Sequence, residues 1–169
     1  MIELLVTLAV AAVLLAVALP SFNAAIGRNR IVSEVNEFMA ASNLARIEAI
    51  RRNGATGVCA SNNASTCGGT WANGWIVWAD GRLADGTEGA RNGDPDAGEA
   101  LRTGAFSNQD TVTGATVDFR FNQRGRRVTP AAGAVTITLQ PTKCVAGQTR
   151  TLTLIASGSI SVATPPACS

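Results

Sequence analysis

Hydrophobic side chains dominate the start of the chain, where residues 4–27 carry no charge between Glu3 and Arg28. At about 1.5 Å per residue, a helix over this segment is roughly 36 Å long, enough to cross the ~30 Å hydrocarbon core of a bilayer. We therefore predict a transmembrane helix over residues 1–27. A secretory signal peptide is the alternative. It fits poorly, because the start has no basic residues and the apolar run is too long.

Glu3 is the one charged residue at the beginning of this apolar run. An ionised carboxylate near the edge of the hydrocarbon is costly unless a cation pairs with it. We expect that cation to come from another molecule, because this part of the chain does not supply one.

The next segment, residues 28–54, has the pattern of an amphipathic helix that continues the first. Six small or apolar positions recur at spacings of three and four, which places them on one narrow stripe: Ile31, Val35, Phe38, Ser42, Ala45 and Ala49. Charged residues between them predict a solvated face: Arg28, Arg30, Glu34, Glu37, Arg46, Glu48, Arg51 and Arg52. Asn53 and Gly54 form a typical C-terminal stop. The stripe is expected to pack on the protein's own sheet.

From residue 55 onward, short alternating segments separated by turns predict β-strands. The expected strands cover residues 56–60, 73–79, 99–106, 116–121, 133–139, 149–156 and 159–162. In the fourth, Val117, Phe119 and Phe121 are predicted to face the core. Residues 55–169 should thus form a β-rich head, and the whole chain should be α+β, one long helix packed on an antiparallel sheet.

Composition argues against catalysis. The chain contains no His and no Tyr, which excludes nucleophile–base pairs built on His and metals ligated by His. Acids cluster only in residues 80–99, and no acid–base pair is evident. We expect neither an enzyme active site, nor a cofactor, nor a metal.

Four cysteines have spacings that suit zinc poorly and are typical of disulfides in an oxidising compartment such as the periplasm: Cys59, Cys67, Cys144 and Cys168. Four cysteines allow three connectivities. Loop-closure entropy favours the local pairs Cys59–Cys67 and Cys144–Cys168. The other two connectivities stay open.

The N-terminal segment IELLVTLAVAAVLLAVALPSF resembles that of type IV pilins and type II secretion pseudopilins. The resemblance implies a longer precursor that a prepilin peptidase cleaves and N-methylates, and a helix that bundles with other pilins in a filament. It also implies that Glu3 neutralises the terminal amine of a neighbouring subunit during assembly. The localisation implied is a single-pass protein of the bacterial inner membrane with a periplasmic head, in a pilus or pseudopilus after assembly.

The middle of the chain, WIVWADGRLADGTEGARNGDPDAGEALR, resembles the GspH/FimT group of minor pilins and pseudopilins. Within it, Asn92, Asp94 and Asp96 have the spacing of the first ligands in an EF-hand calcium loop. Ala97, however, stands where that loop requires Gly, and no acid follows at Thr103. We therefore favour a solvated turn over a calcium site.

A second candidate site is the basic turn Arg124-Gly125-Arg126-Arg127. Guanidinium groups suit bidentate phosphate contacts, and phosphate contacts dominate sequence-independent DNA affinity. The resemblance implies that some members of this group bind DNA during natural transformation through a Gly-Arg-x-Arg motif here. Gly125 and Arg126 match that motif, but Val128 occupies its last position, so that Arg124 or Arg127 must substitute.

Charge is unevenly distributed over the head. Residues 80–99 contain six acids, whereas residues 120–150 contain six bases and no acid. The basic turn could therefore bind an acidic loop of a neighbouring subunit instead of DNA. The favoured function is a non-enzymatic subunit of a type II secretion pseudopilus or type IV pilus, at or near its tip; the alternative is a DNA-binding minor pilin for DNA uptake.

Overall fold

One helix, α1 (Ile2–Arg52), extends over 51 residues and ends just before Asn53, which adopts a left-handed conformation with φ 52°. The computed structural model describes residues 2–81, 89, 91–96, 98–144, 146–165 and 168, without the side chains of residues 17–21. Glu3 lies in the first turn, and Arg51 and Arg52 lie in the last. Both placements are favourable for the helix dipole.

The first part of α1 has no contact with a core. Every side chain described between residues 2 and 16 is exposed. Within the described part of the chain, no helix meets the length and hydropathy needed to cross a membrane.

Nine strands follow within the described residues, in two antiparallel sheets. The five-stranded sheet has the order β3-β2-β1-β5-β6, where β1 is Thr56–Ala60, β2 Trp75–Ala79, β3 Ala100–Gly104, β5 Asp118–Phe121 and β6 Arg127–Thr129. The four-stranded sheet has the order β4-β7-β8-β9, where β4 is Asp110–Gly114, β7 Val135–Pro141, β8 Arg150–Leu154 and β9 Ile160–Ala163. A short 3-10 helix, Trp71–Asn73, precedes β2.

The main core forms where the second half of α1 packs against both sheets. All six stripe residues are buried, which confirms the predicted face. Phe38 lies at its centre, with ring centroids 5.6 Å from Trp71, 5.8 Å from Trp75, 5.6 Å from Phe106 and 6.2 Å from Phe119. These separations lie in the range in which aromatic pairs attract one another.

The opposite face of the five-stranded sheet carries a smaller apolar cluster of Cys59, Ile76 and Trp78. Alternate residues of β2 point into the two clusters, Trp75 and Val77 into the main core and Ile76 and Trp78 into the smaller cluster. The structure also forms both locally favoured disulfides, Cys59–Cys67 and Cys144–Cys168. The first staples the loop that joins β1 to the 3-10 helix.

Several predictions need correction. The head contains two sheets rather than one, and β4 and β6 were not expected. Val117 is 51% exposed instead of buried, because the strand begins at Asp118, two residues later than predicted, and Val117 precedes it. The charged face of α1 is not uniformly solvated either: Glu48 is buried and pairs with Arg51 and Arg52.

Candidate functional site

Glu3 lies in the first turn of α1 with its side chain exposed. It makes no ion pair with any residue that the structure describes. The carboxylate is therefore free to meet a cation from outside these residues.

The basic turn between β5 and β6 is organised by Asn122. The Asn122 side-chain oxygen accepts hydrogen bonds from the backbone N–H of Arg124, at 3.0 Å, and of Arg126, at 3.1 Å. Its carbonyl accepts a third from Gly125 N–H at 2.8 Å. An Asn side chain that binds the backbone after it in this way fixes a tight turn. The turn thus presents its side chains in one defined geometry.

Two of the three predicted arginines project from this turn. Arg124 and Arg126 are exposed, and their guanidinium groups form no hydrogen bond or ion pair within the described residues. The prediction that Arg127 projects with them is wrong. Arg127 is only 5% exposed, and its guanidinium donates to the carbonyl oxygens of Pro130 and Gly133.

The local reason for this difference is strand β6. Arg127 pairs with Phe121 across the sheet, and its N–H donates to the carbonyl of Ala156 at 3.1 Å. Because neighbouring strand residues point to opposite faces, the first residue of β6 turns inward while Val128 turns outward. The alternation Arg-Val-Thr before Pro130 was the available signal for this strand, and the run of arginines obscured it.

The basic turn is seated on the C-terminal end of α1. Gly125 has φ 67°, and a Cβ at this position would lie 2.8 Å from Ile50 Cδ1 and 3.0 Å from Arg46 Nε. Arg46 also reaches the β8–β9 hairpin, where its guanidinium donates to Gly158 O at 3.4 Å. Helix, turn and hairpin therefore meet at one end of the head, opposite to the apolar half of α1.

The acidic segment, residues 80–99, is held by hydrogen bonds within itself and by an ion pair to β5. Asp94 Oδ1 accepts from the Arg120 guanidinium at 2.7 Å, and Asp96 Oδ2 accepts from the Asn92 amide at 2.7 Å. Arg120 also lies over the Trp78 ring, 5.5 Å from its centroid. The arginine thereby holds this segment over the smaller apolar cluster.

Glu99 anchors both ends of the segment. It is fully buried, and its two carboxylate oxygens accept from the N–H groups of Gly81 at 2.7 Å and Asp96 at 2.9 Å. Most of residues 82–90 and Ala97 lie outside the described residues. In the part of the chain that is described, no three His, Cys, Asp or Glu side chains are grouped as metal ligands.

The other end of the head contacts α1 near the middle of the helix. The buried Gln148 side chain donates to Ala24 O at 2.9 Å, and it belongs to the segment that Cys144–Cys168 ties to the C-terminus. A groove of about 640 Å³ lies here between residues 23–30 of α1 and residues 141–148. Lys143 lies on its rim.

Solved structures with the same architecture are minor pilins. The type IV minor pilin FimU of Pseudomonas aeruginosa matches with a TM-score of 0.58 and 20% identity, over 80% of this chain and 90% of that chain. A second crystal form of FimU matches with a TM-score of 0.52 and 22% identity, over 78% and 90% of the two chains. The minor pseudopilin EpsH from the Type 2 Secretion System of Vibrio cholerae gives a TM-score of 0.49 and 12% identity, over 80% and 97%. The two FimU structures show that the α+β architecture is the pilin fold.

The family itself is shown by sequence. Residues 34–159 match the family model for the type II transport protein GspH, so the chain belongs to the GspH family of minor pilins and pseudopilins. No curated protein matches the sequence. The families concerned consist of structural pilins, and this chain is accordingly not an enzyme.

Proposed function

We propose that the protein is a subunit of a type II secretion pseudopilus or type IV pilus, anchored in the bacterial inner membrane by α1 with its head in the periplasm. The observation that carries this proposal is the exposed first half of α1. From Ile2 to Asn23, before Gln148 reaches the helix at Ala24, α1 extends about 33 Å at 1.5 Å per residue. The described side chains along it include ten large apolar ones: Ile2, Leu4, Leu5, Val6, Leu8, Val10, Val13, Leu14, Leu15 and Phe22.

An apolar surface of this length must be covered in the working state, since soluble monomers rarely expose contiguous apolar patches above a few hundred Å². A bilayer can cover it before assembly, and the helices of other pilins can cover it in a filament. Both require the helix to be free of the head, as it is here.

In the assembled filament, Glu3 fixes the alignment of one subunit's helix with that of its neighbour. As an acid in apolar surroundings it needs a cation, and within the described residues it has none. The cation we propose is the terminal amine of a neighbouring subunit, and the processed precursor of each subunit would supply one after cleavage by the prepilin peptidase.

The test is fractionation of cells that express the wild-type protein, Glu3→Ala or Glu3→Asp. We expect all three in the membrane fraction, because Glu3 is not needed for insertion. The wild type should also occur in the sheared filament fraction, Glu3→Ala should be lost from it, and Glu3→Asp should be partly retained. Equal filament incorporation of Glu3→Ala would refute this role of Glu3.

A position at or near the filament tip is the finer part of the proposal. The basic turn lies at the end of the head that is opposite to the apolar half of α1, so a filament built on that half would present the turn away from the membrane. Gene neighbourhood would distinguish secretion from pilus systems.

DNA binding is a second candidate function, and one observation favours it: Arg124 and Arg126 are both exposed and unpaired among the described residues, on a turn fixed by Asn122. Each guanidinium can contact a phosphate. Arg127 has no part in this candidate, because its guanidinium is occupied by carbonyls of its own chain.

This candidate is tested with the full chain in detergent micelles and duplex DNA across a salt series. Arg124→Ala/Arg126→Ala should weaken binding and lower the slope of log K against log salt by about two. The matched control Arg28→Ala/Lys143→Ala removes the same charge at the other end of the head and should leave the slope unchanged. No binding by the wild type at about 50 mM salt, where phosphate contacts are strong, would rule the candidate out.

A further inference from the structure

A group of charged side chains joins α1 to the segment before β4, close to where the apolar half of the helix leaves the head. Arg30 donates from Nε to Asp110 Oδ2 at 2.7 Å and from a terminal nitrogen to Asp110 Oδ1 at 2.5 Å. The Asp110 side chain is fully buried. This bidentate geometry is the strongest form of an arginine–carboxylate pair. One cation is thus already matched to one anion.

Glu34 adds a second carboxyl group to the same place. Its Oε1 accepts from the Ser107 N–H at 2.8 Å, while its Oε2 is buried and has no hydrogen-bond partner counted within the described residues. A buried polar atom without a partner costs free energy, so its environment must supply one. Asp110 lies beside Glu34, because its N–H donates to Ser107 O at 3.0 Å and its carboxylate binds Arg30, one helical turn before Glu34. Two ionised carboxylates, however, can only accept.

A proton on Glu34 resolves this conflict. Protonated Glu34 can donate Oε2–H to Asp110, and the charges of Arg30 and Asp110 then balance. Burial raises the pKa of Glu34, and the charge of Asp110 together with a hydrogen bond to it raises it further. The Ser107 N–H and the Arg30 charge act in the opposite direction.

We propose that Glu34 carries a proton that it donates to the Asp110 carboxylate, and that this proton makes the attachment of α1 to the β3–β4 segment respond to pH. In the protonated state, helix and strand are joined by the Arg30–Asp110 pair, the Ser107 bond and the bond from Glu34 to Asp110. When the proton is lost, two carboxylates face one guanidinium in a partly buried site, and the attachment weakens.

The direction of the pH effect follows from the raised pKa. A group with a higher pKa in the folded than in the unfolded state stabilises the fold below its unfolded pKa, and this contribution is lost as the pH rises through the folded pKa. The head should therefore loosen from α1 with increasing pH. The charged groups that act on Glu34 are Arg30 from its own helix and Asp110 from β4. Arg102 of β3 pairs one turn further on, with Glu37 at 3.5 Å.

The test compares the melting temperature of the full chain in detergent micelles for the wild type, Glu34→Gln and Glu37→Gln, from about pH 3.5, below the ordinary glutamate pKa of about 4.3, to about pH 8. Glutamine at position 34 keeps a neutral donor toward Asp110 and cannot ionise. We expect the wild type to lose melting temperature with rising pH, relative to Glu34→Gln. Glu37→Gln removes an acid from the same helix, outside the buried site, and should follow the wild type. Parallel curves for the wild type and Glu34→Gln would overturn the proposal.

A second measurement does not depend on a variant that folds. The side-chain carboxyl carbon of Glu34 can be followed by NMR in selectively labelled wild-type protein over the same pH range. The proposal expects the titration midpoint of Glu34 in the folded protein to lie above its midpoint in the same protein unfolded in urea. A folded midpoint equal to or below the unfolded one would contradict it, whatever the melting curves show.

Discussion

Replacing Phe38 with alanine should nearly unfold the head. The side chain is 2% exposed and contacts four aromatic rings at centroid distances of 5.6 to 6.2 Å. Phe-to-Ala substitutions in cores cost about 3–5 kcal/mol, and each aromatic pair adds about 0.5–1.5 kcal/mol beyond area burial. We therefore expect Phe38→Ala to lower the free energy of unfolding by about 4–5 kcal/mol. That is comparable with the whole stability of a marginal domain, which begins at about 5 kcal/mol.

Urea unfolding followed by tryptophan fluorescence measures this loss, because Trp71 and Trp75 flank the ring. With a slope of about 2 kcal/mol per molar urea, the midpoint should fall by about 2 M. Phe38→Leu, which keeps most of the apolar volume, should lose about 1.5 kcal/mol. Ile47→Ala, at a position 58% exposed on the same helix, should change stability by less than about 0.5 kcal/mol. A loss below about 1 kcal/mol for Phe38→Ala would show that the helix does not pack on the sheets as described.

Three further predictions concern the turn, the C-terminus and the acidic segment. Gly125→Ala should lower the free energy of unfolding by about 1–2 kcal/mol, because φ is 67° and the added Cβ would crowd Ile50. Gly93→Ala, with φ 83° and open space around it, should lower it only by the cost of the left-handed backbone conformation. Equal chemical-denaturation midpoints for the two variants would contradict this. Replacing Cys144 and Cys168 by serine should lower the free energy of unfolding by about 3 kcal/mol for a loop of this length, as measured by thermal unfolding. An unchanged melting temperature would show that tying down the C-terminus does not stabilise the head. Glu99→Gln replaces one of the two side-chain oxygens that accept from backbone N–H groups by an NH₂ donor, which should lower the free energy of unfolding by about 1.5–3 kcal/mol. It should also speed proteolysis after Arg91. Unchanged cleavage would mean that Glu99 does not anchor the segment.

The fold could be predicted from sequence where periodicity and burial agree. The stripe of α1 and the alternation of Val135, Ile137 and Leu139 reflect one buried face each, so the pattern alone identified the helix and a strand of the second sheet. The N-terminal motif and the tryptophan-rich strand carried the family resemblance, and the family match is independent of the structure.

What the sequence did not predict depends on partners distant in the chain. Arg30 and Glu34 look solvated on a helical pattern, and only the packing of Asp110 from β4 against them makes them partly buried. Arg124, Arg126 and Arg127 are chemically equivalent in the sequence. Their separation into two exposed side chains and one buried one is decided by the pairing of β6 with β5, for which the short alternation Arg-Val-Thr was a weak local signal.

The two ends of the head have different consequences for function. At one end, α1 leaves the head beside Gln148 and the Arg30–Asp110 pair, and its apolar half is exposed. At the other end, the basic turn is exposed beside the end of α1. Under the proposed function, assembly and recognition are separated along one molecule, and substitutions at one end should leave the other unaffected.

The central claim is that the apolar half of α1 is covered by other pilins in the working state. The most direct measurement places a photo-crosslinking amino acid at Leu8, an exposed position of this half, in living cells, with Val117 in the head as the comparison position. The account predicts that Leu8 yields protein adducts that mass spectrometry identifies as pilin or pseudopilin subunits. A membrane-localised protein whose Leu8 position yields no adduct with any pilin-type subunit would contradict it.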